Sequence, residues 1–130
     1  MIEGLSHITF IVSDLERMPN FLTAIFDAEE IYSSKEKEFS VSKEKFFLIN
    51  GLWLAIMEGE PLLQKTYNHV ALKIAESDFD NYLNRVRSLG VKILDGRDRI
   101  EGEGKSIYFY DYDNHLFELH TGTLEQRLEA

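Results

Sequence analysis

The 130-residue chain contains no cysteine, which excludes disulfides, thiolate metal sites and a cysteine nucleophile together. It is also short of positive charge. Its 14 Lys and Arg stand against 23 Asp and Glu, for a formal net charge of −9. That average field opposes association with a polyanion, so DNA and RNA are not expected partners. An anionic small molecule would need a metal or a local cluster of Arg and Lys to overcome it. No run of apolar residues approaches the length that spans a bilayer. The first residues include Glu3, Asp14 and Glu16, where a secretory signal would carry a basic flank and an unbroken apolar stretch. A cytoplasmic protein with no membrane partner is expected. What is present, 44% hydrophobic and 28% charged residues, is the composition of a folded globular domain. A chain of this length hides roughly 70% of its extended surface on folding, so a single domain over residues 1–130 is expected.

The hydrophobic pattern divides into two similar halves. Residues 5–12 alternate as a strand does, with Ile8, Phe10 and Val12 on one face and His7, Thr9 and Ile11 on the other. Pro19 suits a first helical position, and Phe21, Leu22, Ile25 and Phe26 form an apolar stripe at helical spacing. Three β-rich stretches follow, at 29–33, 39–48 with a break inside it, and 52–57, the last two joined by the turn signal Asn50-Gly51. The second half repeats this order. Residues 67–74 form a strand, again with a histidine, His69, at its third position. Ser77, with Asp80 three residues on, offers a helix start, the stripe is Phe79, Leu83, Val86 and Leu89, and Gly90 ends the helix. Strands at 91–94, 106–110 and 115–120 complete the half, with residues 111–114 as a turn. The fold class is therefore α+β, built from two βαβββ modules over about 4–60 and 66–122. A mobile Gly-rich connection is expected at 101–104 and a short helical tail from Thr123.

The repeat bears on chemistry. His7 and His69 occupy matching positions, and Glu118 corresponds to a place near Ile56 in the first half, give or take a residue or two. If the modules set their first and last strands around a shared centre, His7, His69 and Glu118 converge there, with an apolar residue where a fourth ligand would stand. Two imidazoles and a carboxylate suit divalent Mn, Fe, Co, Ni or Zn and leave positions open. Manganese is favoured where the remaining ligands are substrate oxygens. A carboxylate in the apolar context of Leu116-Phe117-Glu118-Leu119 needs a cation. His115 at a turn and His120 at a strand end are expected in solvated or structural roles. Residues 111–114 lack the central Gly and spaced Glu of a calcium loop.

Residues 4–9, residues 66–69 and above all the run from Ser106 to His120, with 122–128 behind it, resemble the fosfomycin-resistance enzymes of the vicinal oxygen chelate superfamily, also called the glyoxalase and bleomycin-resistance superfamily. The similarity covers nearly the whole chain. Within those enzymes it is most similar to the epoxide hydrolases, because the segment 41–49 carries Glu44 at the position that branch assigns to its general base. The resemblance implies a homodimer in which paired modules from two chains build each metal site, His7 coming from one subunit and His69 and Glu118 from the other. It implies Mn(II), with other divalent transition metals as substitutes, and hydration of the fosfomycin epoxide to a diol with water as the second substrate.

By the same resemblance Arg127 is the cation for the phosphonate, Tyr108 a hydroxyl donor, and Thr9 and Ser106 polar neighbours, while Phe46 and Trp53 line the pocket. The basic, serine-containing loop of the thiol-transferring relatives is replaced by residues 98–105. This leaves Arg97, Arg99 or Lys105 as substitutes for their loop lysine and puts their monovalent-cation site in doubt. Without the resemblance, a glutamate between Lys43 and Lys45 reads as a solvated residue. Three rival functions are set beside hydration: transfer of glutathione, bacillithiol or cysteine to the drug, non-catalytic drug binding, and an isomerase or dioxygenase acting on another metabolite.

Overall fold

The computed structural model describes residues 1–34, 43–95 and 102–130. The described chain divides into two compact units, Met1–Leu62 and Leu63–Ala130, and each repeats the same plan.

In the first unit, strand β1 (His7–Val12) leads to helix α1 (Met18–Phe26), followed by β2 (Glu29–Ser33), β3 (Glu44–Ile49) and β4 (Leu52–Glu58). The helix starts where expected, with Pro19 in its first turn, where a missing N–H costs no hydrogen bond. The sheet order is β1-β4-β3-β2, so the first and last strands are neighbours, and they run parallel. Asn50 and Gly51, at φ 45° and 85°, make the tight β3–β4 turn, a pairing of positive φ values that Asn-Gly tolerates. The buried residues of α1, among them Phe21, Leu22 and Ile25, match buried Val12, Phe47, Leu54 and Ile56 from the sheet face opposite His7. Stacking helix on sheet buries both apolar surfaces. The expected strand at 39–48 begins, within the described residues, only at Glu44, and its residues 39–42 lie outside them.

The second unit runs β5 (His69–Lys73), a 3-10 turn (Glu76–Asp78), α2 (Phe79–Ser88), β6 (Ile93–Leu94), β7 (Ser106–Tyr110), β8 (Leu116–His120) and α3 (Leu124–Glu129). Its order β5-β8-β7-β6 mirrors the first sheet, with β5 and β8 parallel. Ile107, Phe109, Phe117 and Leu119 are buried on the face opposite Glu118. Three expectations are corrected here. Ser77 does not cap α2: it lies in the 3-10 turn, and the N-cap Asp78 makes no side-chain cap bond. Of the stripe on α2 only Val86 is buried. The strand at 91–94 is reduced to Ile93–Leu94. The cap instead appears at α3, where Thr123 and Gln126 each accept the other's backbone N–H, a capping box.

Of the expected mobile connection Glu101 lies outside the described residues, and residues 102–104 are held more firmly than composition suggests. Glu103 is buried, and Lys105 and Thr121 exchange hydrogen bonds: Lys105 N–H donates to Thr121 Oγ1 at 2.9 Å, and Thr121 N–H to Lys105 O at 3.0 Å. Gly104 has φ +86°, and a Cβ there would lie 2.6 Å from the backbone nitrogen of Gly122. Both conformation and space demand glycine. Gly104→Ala is expected to destabilise the protein by at least about 2 kcal/mol in urea denaturation, from positive-φ strain plus backbone overlap.

Candidate metal centre

The strand registers place the candidate residues on two sheet faces. In the first unit His7 pairs with Trp53, Thr9 with Ala55 and Ile11 with Met57, while β3 sets Phe46 opposite Ala55 and Glu44 opposite Met57. Cross-strand partners share a face, so His7, Thr9, Phe46, Trp53 and Glu44 all lie on one. Ring contacts agree: His7 stacks on Trp53 at 4.1 Å between centroids, and Phe46 meets Trp53 edge-on at 5.2 Å. Ser6 Oγ lies 2.9 Å from His7 Nδ1, which leaves Nε2 as the ring's outward nitrogen. Lys45 points to the opposite face, where its ammonium sits 3.5 Å from Glu16 and 3.7 Å from Glu30. Alternation turns the two side chains to opposite faces, but Glu44 stands at the start of β3, where it and Lys45 both line a cleft of about 190 Å³ with Asp14, Glu16, Lys43 and Glu58; none of His7, Thr9, Phe46 and Trp53 lines that cleft. The Trp53 indole N–H is buried without a hydrogen-bond partner.

In the second unit His69 pairs with Leu116 and Ala71 with Glu118. Comparing the two registers puts Ala55, paired with Thr9, in the place that Glu118 holds against Ala71. This is one residue from the position that sequence spacing predicted, and it is apolar. Each unit therefore offers one histidine on its first strand, but only the second sets a carboxylate at this position of its last strand.

His69 and Glu118 meet directly. His69 Nε2 is 3.1 Å from Glu118 Oε1, and Glu118 is only 7% exposed. His69 Nδ1 lies 2.7 Å from the carbonyl of Tyr67. A carbonyl only accepts, so Nδ1 carries the hydrogen and Nε2 turns its lone pair toward the carboxylate unless the ring is doubly protonated. Two such lone-pair atoms facing each other need a cation between them, a proton or a metal. Their separation suits a metal: two ligands each about 2.1 Å from one ion and at right angles are about 3.0 Å apart. The backbone carbonyl behind the imidazole is the usual outer support of a metal-binding histidine. Among the described residues no three His, Asp or Glu side chains gather closely enough to hold a metal ion, and His69 and Glu118 stand as a pair.

Three further candidates of the second unit, Tyr108, Ser106 and Arg127, contact Glu118 or His69 or share a cleft with Glu118. Tyr108 is buried opposite Glu118, and its ring lies 5.4 Å from that of His69. Ser106 donates to Glu118 Oε2 at 2.6 Å. Arg127, on α3, places Nη1 3.1 Å from Glu103 Oε1 while remaining half exposed. A cleft of about 340 Å³ runs along Tyr108, Glu118, His120, Gly122 and Arg127. Lys105 is engaged with Glu76 at 3.8 Å, and Arg97 and Arg99 lie outside the described residues. Sequence reasoning missed two participants. Glu103 reads as a loop carboxylate, yet it is 2% exposed and pairs with Arg127. His120 was expected to be solvated or structural, yet it lies on the Glu118 face; its spacing of two residues on one strand carried that signal.

Comparison with known proteins identifies the family. Residues 4–119 match the family model of the Glyoxalase/Bleomycin resistance protein/Dioxygenase superfamily. The chain is 63% identical over 129 residues to the fosfomycin resistance protein FosX of Listeria innocua, covering 99% of this chain and 97% of that one. It is 38% identical over 133 residues to the metallothiol transferase FosB of Staphylococcus saprophyticus, covering 99% and 83%. A crystal structure of a glutamate-to-glutamine mutant of FosX from Listeria monocytogenes, complexed with Mn(II) and 1S,2S-dihydroxypropylphosphonic acid, matches with a TM-score of 0.91. It is 59% identical, over 99% of this chain and 98% of that one. The chain belongs to the FosX family of fosfomycin resistance proteins, within the glyoxalase/bleomycin resistance protein/dioxygenase superfamily.

Proposed function

We propose that the protein is a cytoplasmic, homodimeric, Mn(II)-dependent epoxide hydrolase that converts fosfomycin to its vicinal diol. The observation that carries this reading is the pair His69 Nε2 and Glu118 Oε1, aligned 3.1 Å apart with the imidazole held from behind. His7 of the partner subunit completes the ligand set. The FosX relative crystallised with Mn(II) and a dihydroxypropylphosphonate supports both the metal and the product. Bound there, Mn(II) supplies Lewis acidity to the oxirane oxygen as negative charge develops on it.

The chain's own residues do the rest. Glu44 takes a proton from water as the water oxygen forms a bond to the carbon next to phosphorus. The oxirane carbon–oxygen bond breaks, its oxygen takes a proton from solvent to give the second hydroxyl, and Glu44 returns its own proton to solvent, so that the sum is the addition of one water. Arg127 offers a planar set of donors to the phosphonate, and Tyr108 and Thr9 add hydroxyls. The single hydrogen of Ser106 is given to Glu118, so Ser106 is free only to accept. Phe46 and Trp53 form the apolar wall beside His7.

Phosphorus NMR of fosfomycin incubated with the protein tests this reading. Diol is expected in the absence of any thiol, and only when Mn(II) is present. An adduct formed solely with glutathione, bacillithiol or cysteine would identify a thiol transferase. Unreacted drug bound one-to-one would identify a binding protein.

A further inference from the structure

We infer that Ser106 and His120 form a hydrogen-bonded relay that occupies one oxygen of Glu118, so that this ligand reaches the metal through its other oxygen alone. The inference rests on the reading of His69 and Glu118 as metal ligands. Pairing sets Ser106 opposite His120 and Tyr108 opposite Glu118 on the same face of β7 and β8. Ser106 Oγ is 2.6 Å from Glu118 Oε2 and 2.7 Å from His120 Nδ1. An ionised carboxylate only accepts, so the serine's single hydrogen goes to Glu118. Ser106 Oγ then has only lone pairs for His120, which makes Nδ1 the donor and fixes the direction of both bonds. His120 Nδ1 also lies 3.4 Å from Oε2.

Space for the relay comes from Gly122. A Cβ at that position would stand 2.8 Å from His120 Nε2 and 2.6 Å from the carbonyl oxygen of Glu103. With Oε2 engaged and Oε1 facing His69 Nε2, the carboxylate is turned to bind through one oxygen. A carboxylate free to chelate with both would take a position that the substrate needs. Ser106 and His120 are thus positioning residues, acting on the metal through Glu118, just as the Tyr67 carbonyl acts through His69.

The test is titration of the full-length protein with Mn(II), read by electron paramagnetic resonance of the free ion. Ser106→Ala is expected to raise the Kd for Mn(II) by about 10- to 100-fold, the range for loss of an outer-sphere partner. Ser106→Thr, which keeps the hydroxyl, should restore affinity. His120→Asn, which keeps an N–H near the Nδ1 position, should bind as wild type does, whereas His120→Phe should weaken binding in the direction of Ser106→Ala. Because the histidine variants probe the same relay, they decide the matter if the serine variants fold poorly. Wild-type affinity in Ser106→Ala, or in His120→Phe, would overturn the relay while leaving the metal centre intact. Failure of the wild-type protein itself to bind Mn(II) would remove the centre, and the relay with it.

Discussion

Replacing Glu44 with Gln is expected to lower diol formation by about 10²- to 10⁴-fold, the usual contribution of a positioned general base, while Mn(II) and fosfomycin bind as they do to the wild type. The substitution keeps volume and removes only the proton acceptor. The local fold should survive it. Glu44 is tied into β3 through its backbone, with its N–H donating to Ser34 Oγ at 2.9 Å and its register set against Met57. The neighbouring Lys45 is already satisfied on the other face by Glu16 and Glu30, so neutralising Glu44 strands no partner there. Steady-state kinetics would separate the effects: a fall in kcat with little change in KM marks a group that acts in the transition state. Unchanged turnover would remove Glu44 as the base.

Glu118→Gln is expected to have a larger effect, because it removes a ligand and not a proton acceptor. The amide retains the shape of the carboxylate and can still accept from Ser106, but the negative charge that faces His69 Nε2 is lost. Mn(II) affinity should fall by more than the roughly 10- to 100-fold that outer-sphere changes produce, and diol formation should fall with it at any practical Mn(II) concentration. His69→Ala should behave in the same way. Calorimetric titration with Mn(II) checks both, and wild-type binding by Glu118→Gln would exclude the carboxylate as a ligand.

Much of this architecture was legible in the sequence because it rests on period. The alternation from His7 to Val12 fixed which residues share a face, and Pro19 and Asn50-Gly51 marked a helix start and a turn for local steric reasons. The repeat of His7 as His69 pointed to matched strands, and the registers then moved the counterpart of Glu118 from near Ile56 to Ala55. Capping was less legible. Ser77 and Asp80 have the spacing of a capping box, yet the chain enters α2 through a 3-10 turn, a choice that spacing alone cannot make.

The contacts among Ser106, Glu118 and His120 were hidden for a different reason. They depend on which residue of β7 stands opposite which residue of β8, and a slip of one residue would turn every side chain to the other face. The pairing of Glu103 with Arg127 was hidden too, since it joins a loop to a helix that the sequence separates by more than twenty residues. The role of Glu44 came from family resemblance, since a glutamate between two lysines carries no catalytic signal of its own.

Subunit mixing tests most directly whether His7, His69 and Glu118 make one centre across two chains. His7→Ala and His69→Ala homodimers should each be inactive and bind Mn(II) poorly. Unfolding and refolding the two together should yield mixed dimers with one intact centre and one doubly damaged one, and random pairing should then recover about a quarter of wild-type turnover. Mixed dimers that form but show no more activity and no tighter Mn(II) binding than the parent variants would contradict the shared centre.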